Sequence, residues 1–416
     1  MLRQRKQPAV VSAARNLPGT PVALLVAAAC AVSLAACGTP ARPAARVAPA
    51  SQPPTGALGS QSHGSADAQA GAAGPAAAAA GSGAAASPAV SPSPPATSAP
   101  ARPGTTVPGA ASCPLFPADN VWNTDISKLP VNPRSAQWLA SMDSGSTYLH
   151  PDFGPSGGYP YGIPFKIVTS AHKLVHLTFT YASDTNRGPY PFGADTPIEG
   201  GKNAGGDRHA IMVNSQTCTL YELWDARYSA SRPRAGSGAV WKLTSNRLRP
   251  AGWTSADAAG LPILPGLLTY GQVRKAVRSG KPITHAIRFT AQRTRSAYIW
   301  PARHEAGSGS SRRLPPMGAR FRLKASYSIA KFCSNATPYC KDAKAVLAEM
   351  RHYGLILADN GSNWYFQGSA YPAWPSGLIE LLKRIPARSF QAVSESCLKV
   401  GRNSGKATAK PGCPIG

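Results

Sequence analysis

The sequence predicts a mainly β fold: an antiparallel β-sandwich, jelly-roll-like, with a few peripheral helices, behind a long disordered N-terminal tether. Three observations predict it. From Gly38 to about Ser112 the chain is nearly all Ala, Pro, Gly, Ser and Thr, a composition that cannot bury enough apolar surface to offset its ordering entropy. At Cys113 it turns abruptly to Trp, Tyr, Phe and aliphatic residues. Beyond Cys113, short runs rich in β-branched and aromatic residues, most alternating with period two, outnumber helical patterns.

In chain order the strand runs are 162–168, 173–182, 209–214, 218–226, 239–243, 283–291, 297–300 and 319–325. Two more, 355–358 and 364–367, flank Asp359-Asn360-Gly361-Ser362. Asn-Gly supplies the positive φ of a tight turn, so these two read as a hairpin with Asp359 in its turn. Helical spacing marks 135–142, 271–278, 341–353 and 377–384, the third ending at Gly354 as a C′ glycine. No internal repeat or Pro/Gly/Ser linker divides this part. It reads as one domain over 113–396, with 397–416 a disulfide-stapled tail.

The start of the chain has an address. Arg3, Arg5, Lys6 and Arg15 precede an apolar stretch from Val22 to Leu34, which small residues then break. That is the order of a secretory signal, and the stretch is too short for a membrane-spanning helix of about 20 residues. Leu34-Ala35-Ala36-Cys37 resembles the lipobox of bacterial lipoproteins. The resemblance implies cleavage after residue 36 and acylation of Cys37, with 37–112 as the tether. Gly38 lacks the aspartate of inner-membrane retention. The implied place is the outer membrane of a Gram-negative cell, or the outer leaflet of the cytoplasmic membrane of a Gram-positive one. Cleavage without lipid is the alternative.

The net charge is +26. The part from Cys113 onward holds 37 of the 44 Lys and Arg and 17 of the 18 Asp and Glu, so the excess belongs to the folded domain. Such a surface favours polyanions, including anionic glycans and phosphate-rich polymers. Six cysteines follow Cys37, an even number suited to three disulfides in an exported protein. Proximity favours Cys333–Cys340 and Cys397–Cys413, leaving Cys113 with Cys218. There is no C-x-x-C pair or nearby His pair, so no metal and no cofactor are expected.

The sharpest chemical constellation is the hairpin from Asp207 to Ala226. With Asn214 opposite Thr217, His209 faces Glu222 and Asp207 faces Trp224, all on one side of the sheet. A carboxylate beside a histidine suits acid/base work, and a tryptophan beside them suits a sugar ring. Asp207, His209 and Glu222 are therefore the candidate catalytic residues, and Arg208 and Trp224 candidate substrate contacts. A buried structural His–Glu pair is the alternative. Arg303 and His304, in a loop after the aromatic run, are further substrate-binding candidates. So are Arg320 and Arg322, which share one face of 319–325 with Lys324. With Arg288 and Thr290 of 283–291 they would make a basic, hydroxylated sheet surface, or an ordinary outward face. His285, on the apolar face of its run, reads as a core residue.

Gly200-Gly201-Lys202 lacks the earlier glycine of a phosphate loop, and Asn203 replaces its Ser/Thr. The nucleophile-elbow, zinc-finger and RNA-binding motifs are also missing, so no specific nucleic-acid partner is expected. Asp207-Arg208-His209, Tyr221-Glu222-Leu223-Trp224-Asp225-Ala226, Gly252-Trp253-Thr254-Ser255-Ala256-Asp257, Pro315-Pro316-Met317-Gly318 and Asp359-Asn360-Gly361-Ser362 are similar to phrases in a group of exported bacterial proteins without an assigned activity. The similarity covers nearly all of 113–394 and implies no reaction and no site. The sequence thus leads to three expectations. The first is an envelope-anchored enzyme acting on an anionic or neutral wall or matrix polysaccharide, by hydrolysis rather than β-elimination. The others are a non-catalytic binder of an anionic glycan or envelope polymer, and a structural envelope lipoprotein.

Overall fold

The computed structural model describes residues 105–155 and 160–408. The signal, Cys37, the tether up to residue 104 and Cys413 lie outside the described residues. The described chain is mostly strand. In order the strands are β1 (Thr106–Val107), β2 (Ala110–Pro114), β3 (His150–Asp152), β4 (Phe165–Val168), β5 (Thr178–Phe179), β6 (Ala210–Asn214), β7 (Thr219–Trp224), β8 (Arg234–Ala235), β9 (Ser237–Lys242), β10 (Ile287–Ala291), β11 (Arg320–Leu323), β12 (Leu355–Asn360), β13 (Tyr365–Gln367) and β14 (Phe390–Val393). The helices are α1 (Ser135–Ser141), α2 (Tyr270–Ser279), α3 (Cys340–His352) and α4 (Ser376–Leu382). All four fall where the helical spacing placed them. Helix α2 shows why: Thr269 and Gln272 close a capping box at its start, and Gly280 ends it in the left-handed region.

Two larger sheets carry the fold. One has six strands in the order β14-β11-β12-β10-β13-β3, the other four in the order β4-β6-β7-β9. Pairs β1-β2 and β5-β8 are small additions. One apolar core draws on both larger sheets, with Ile211, Val213, Leu220 and Trp241 from the four-stranded sheet and Ile287, Phe289, Phe321 and Phe366 from the six-stranded one. Alternation along β6 sends Ala210 and Met212 to a second, smaller core on the other side, with Tyr190, Phe192 and Leu223.

The pairing differs from the antiparallel expectation at four places. β10 pairs with β12 in parallel, as do β13 with β3, β4 with β6, and β5 with β8. The sheets are mixed because long connections, such as the one through β11 and α3, return the chain in the same direction. The expected hairpin over 355–367 does not form. β12 and β13 lie on opposite sides of β10, and the Asn360–Gly361 turn arches over its end. There the Gly361 N–H bonds Ala291 and the Trp364 N–H bonds Thr290. A side chain at Gly361 would stand 2.9 Å from Thr290 Oγ1, so the arch needs glycine.

The 173–182 run keeps β5 and an isolated bridge, Val175 to Tyr190, and 297–300 makes a single bridge, Tyr298 to Met317, before a turn closes on Ile299. The described fold includes residues ahead of Cys113, since Val107 and Ala110 are buried. At the other end Leu398 and Ala407 are buried, and bridges tie Ser404 to Arg247 and Lys406 to Asn120.

Cys333–Cys340 forms as proximity suggested, and Cys113–Cys218 forms as the pair left over. Cys397 is also disulfide-bonded. Cys113–Cys218 spans 105 residues, so its main effect is to restrict the unfolded chain. Replacing both cysteines by serine is expected to cost about 2–4 kcal/mol in denaturant unfolding; an unchanged midpoint would contradict this.

Candidate functional site

The β6–β7 hairpin sets the site. Its observed register pairs Ile211 with Glu222 and Val213 with Leu220, two residues from the expected one. The cause is the turn. Asn214 Oδ1 accepts the Gln216 and Thr217 N–H groups, and Cys218, in the left-handed region and bound to Cys113, delays the start of β7. A two-residue slip preserves facing. His209, Ile211 and Glu222 therefore still share a side of the sheet, and Trp224 Nε1–H still donates to Asp207 Oδ1 (3.2 Å).

Sharing a side does not bring His209 and Glu222 together as an acid/base pair. Glu222 is fully buried and accepts from the Ile263 and Leu264 N–H groups at 2.9–3.0 Å. Burial pushes its carboxyl up to about 7, against those amides. It anchors the turn Leu264–Gly266, where a side chain on Gly266 would stand 2.9 Å from the Arg288 backbone. Glu222 is thus structural.

His209 bonds elsewhere. Its Nδ1 faces Glu199 Oε2 at 2.6 Å and its Nε2 faces the Ala256 carbonyl at 3.1 Å. Two acceptors on one imidazole require both nitrogens to carry protons. Burial pulls its pKa down, but the Glu199 charge and hydrogen bond outweigh this and raise it to about 9. In the same pair burial raises Glu199 and the imidazolium more than offsets it, leaving Glu199 below its ordinary range. His209 is a fixed cation that positions an ionised Glu199, not a proton shuttle. The folded value lies above the unfolded one near 6.5, so this stabilisation is complete below about pH 6.5 and is lost as pH rises through about 9. The melting temperature of the native chain should fall more steeply over that window than that of His209→Gln; parallel curves would reject the ion pair.

Glu199, Asp207 and His209 open onto a pocket of about 120 Å³ shared with Asp152, Arg288, Asp359 and Gln367. Its floor is one face of the six-stranded sheet. Phe289 opposite Phe366 puts Arg288 and Thr290 of β10 on the same face as Tyr365 and Gln367 of β13. Gln367 in turn lies beside Asp152 of β3. Asp359 reaches this face through a β-bulge. Phe289 pairs with Leu357, yet Thr290 pairs with Asp359, leaving Ala358 as the extra residue. Without the bulge Asp359 would point to the opposite face.

Charge in the pocket is graded. Arg288 Nε and Nη2 donate to both oxygens of buried Asp257, each at 3.0 Å. Burial opposes the Arg288 charge and Asp257 more than restores it. Nη2 also lies 3.5 Å from Asp359 Oδ2. Even so, burial first and the Asp257 charge second push the Asp359 carboxyl up to about 7. Gln367 Nε2–H donates to Asp152 Oδ2 (3.0 Å), while Gln367 Oε1 is buried without a partner. Among the described residues no group of three His, Cys, Asp or Glu is placed to hold a metal ion.

The remaining expected contacts lie elsewhere. Arg208 is buried and ties the 201–204 loop and Ala226 through their carbonyls. Trp224 packs over Gly236 and lies outside the pocket. Arg303 is buried on the carbonyls of Arg249 and Arg402 and on Asn403. His304 bonds the Ala258 carbonyl. Arg320 and Arg322 do share a face with Arg288, but that face is covered. Arg320 bonds Glu395 and the carbonyls of Val121, Thr124 and Tyr353, and Arg322 bonds that of Ile126. These four arginines hold backbone together rather than meeting substrate. His285 is fully buried, as its pattern suggested.

Sequence reasoning missed Glu199, Asp152 and Gln367 as site residues, took Arg288 only as part of a basic face and read Asp359 as a turn. Glu199 carried little signal of its own: it sits between Ile198 and Gly200 in a long connection that also holds Asp195, Lys202 and Asp207. Comparison of the chain with protein families, with curated proteins and with solved structures finds no match. The site is read from its own chemistry.

Proposed function

We propose that this pocket hydrolyses a glycosidic bond at the end of a neutral polysaccharide, in an exported protein held to the cell envelope by lipid on Cys37. The observation that carries the reaction is two carboxyl groups in one pocket whose surroundings push them apart. Asp359 is raised to about 7 and keeps a proton near neutrality, while Glu199 is lowered by His209. Such a split assigns the acid and the base. Asp359 donates its proton to the glycosidic oxygen as the carbon–oxygen bond breaks. Glu199 stabilises the positive charge developing on the sugar, as nucleophile or as base for water. Asp207, at the rim, is a third carboxylate within reach of the substrate.

The choice of substrate follows from charge and size. With Asp359 protonated, Asp152, Glu199 and Asp207 remain as carboxylates, and the two cations of the pocket are already engaged, Arg288 by Asp257 and His209 by Glu199, so a uronate or phosphate would be repelled. Gln367 Oε1 needs a donor, and a sugar hydroxyl supplies one. A pocket of about 120 Å³ accommodates a terminal unit, not a chain running through it. Export and anchoring rest on the Leu34–Cys37 pattern, and disulfides are compatible with them.

The test is release of sugar from a panel of neutral oligosaccharides and polysaccharides by the full chain. Asp359→Asn and Glu199→Gln should each remove turnover, and kcat in the native chain should fall above about pH 7 as Asp359 loses its proton. Cleavage confined to acidic glycans, or unaffected by both substitutions, would reject the assignment.

A further inference from the structure

A larger cavity, about 700 Å³, lies at the β14 edge of the six-stranded sheet and shares no lining residue with the acid pocket. Arg134, Trp138, Arg295, Trp300, Glu395 and Lys399 are among its walls. Glu395 is the one acidic residue lining it. It is buried, and its Oε1 accepts from Arg320 Nη1 at 2.7 Å. The other Arg320 donors are spent on backbone carbonyls. The pair is thus neutral within itself, and Arg134 and Arg295 meet no carboxylate among the described residues.

Two further features point to a ligand. Glu395 Oε2 is buried without a hydrogen-bond partner although its residue lines the cavity. Both indoles have their polar edges tied back, Trp300 Nε1–H to the Ser404 carbonyl (2.8 Å) and Trp138 Nε1–H to that of Arg312 (3.2 Å). Trp300 is half-buried, and Ile299 beside it is 39% exposed. Guanidiniums, an indole and an unpaired carboxylate oxygen together match a ligand that is anionic, ring-bearing and rich in hydroxyls.

We propose that this cleft binds an acidic glycan strand. The Arg134 and Arg295 guanidiniums take its carboxylate or phosphate groups, Trp300 takes the face of a sugar ring, and Glu395 Oε2 accepts a ring hydroxyl. The excess positive charge of the chain draws such a strand in from a distance. The cleft would hold the protein on an acidic wall or matrix polymer, and it does so whether or not the acid pocket turns anything over.

The test is a binding titration of the full chain with four probes of similar length: polygalacturonate, a phosphomannan, dextran and poly-glutamate. Polygalacturonate, the phosphomannan or both should bind, more weakly as salt is added. Which of the two binds distinguishes carboxylate from phosphate. Arg134→Ala with Arg295→Ala should weaken that binding about tenfold or more, the loss of charge-assisted hydrogen bonds, and Trp300→Ala several-fold. Asp359→Asn should not change it, which separates this site from the acid pocket. Circular dichroism checks each fold, and if Trp300→Ala is misfolded the arginine pair decides alone. No binding of either acidic glycan overturns the proposal. So does dextran or poly-glutamate binding as tightly as they do, or undiminished binding in the arginine variant.

Discussion

Asp359→Asn is expected to lower kcat on a neutral glycan by about 10²–10⁴-fold, the usual contribution of a positioned general acid, with little change in KM. Asparagine keeps the shape and can still donate an N–H bond, but it has no proton to give to a leaving oxygen. A second readout separates this from damage to the fold. Burial and Asp257 raise the Asp359 carboxyl to about 7, above its unfolded value near 3.9. A group that binds its proton more tightly when folded contributes stability below its unfolded value, and loses that contribution as pH rises through the folded one. The native chain should therefore lose stability between about pH 4 and 7 from this residue, and Asp359→Asn should not. The variant should melt at least as high as the native chain above pH 7 while being nearly inactive. Loss of activity together with a lower melting temperature would mark Asp359 as structural.

Asp257→Ala is expected to be the most destabilising single change near the site, about 3–5 kcal/mol. Breaking a buried pair strands the remaining charge. Arg288 is almost wholly buried and gives both its Nε and Nη2 donors to Asp257. The arginine also forms the pocket floor beside Asp359, so turnover should disappear with stability. Replacing the pair together, Asp257→Leu with Arg288→Met, should restore most of the stability, since an apolar pair of similar volume carries no desolvation cost. It should not restore turnover. Denaturant unfolding of the native chain and of these two variants checks this. A single variant as stable as the native chain would show that the pair is not the buried keystone of the floor.

How much of this was legible in the sequence varies by element. The helices were, because apolar spacing and caps are local: Thr269 and Gly280 bracket α2 within one stretch of chain. The facing of the β6–β7 hairpin was legible but its register was not, because a four-residue loop and a left-handed Cys218 give no pattern of their own. Pairing partners were the least legible. Nothing in 355–367 says that β10 inserts between β12 and β13. The site suffered from the same blindness. Asp207 and His209 were found because they flank an obvious strand. Asp359 was read as a turn residue because the bulge that turns it into the pocket lies in pairing with a strand some 70 residues away. The arginines were overvalued because a charged, alternating face looks solvated in sequence, whereas Arg320 and Arg322 lie under the 121–126 segment and are spent on its carbonyls.

The central claim is that Asp359 stays protonated near neutral pH beside an ionised Glu199. It is tested most directly, and without a substrate, by a carbon-13 NMR titration of the side-chain carboxyl groups, with Asp359 assigned by its disappearance in Asp359→Asn. The account predicts a midpoint near 7 for Asp359 and one below the ordinary glutamate range for Glu199. An Asp359 midpoint near 4 would contradict it, because the pocket would then hold carboxylates and no acid.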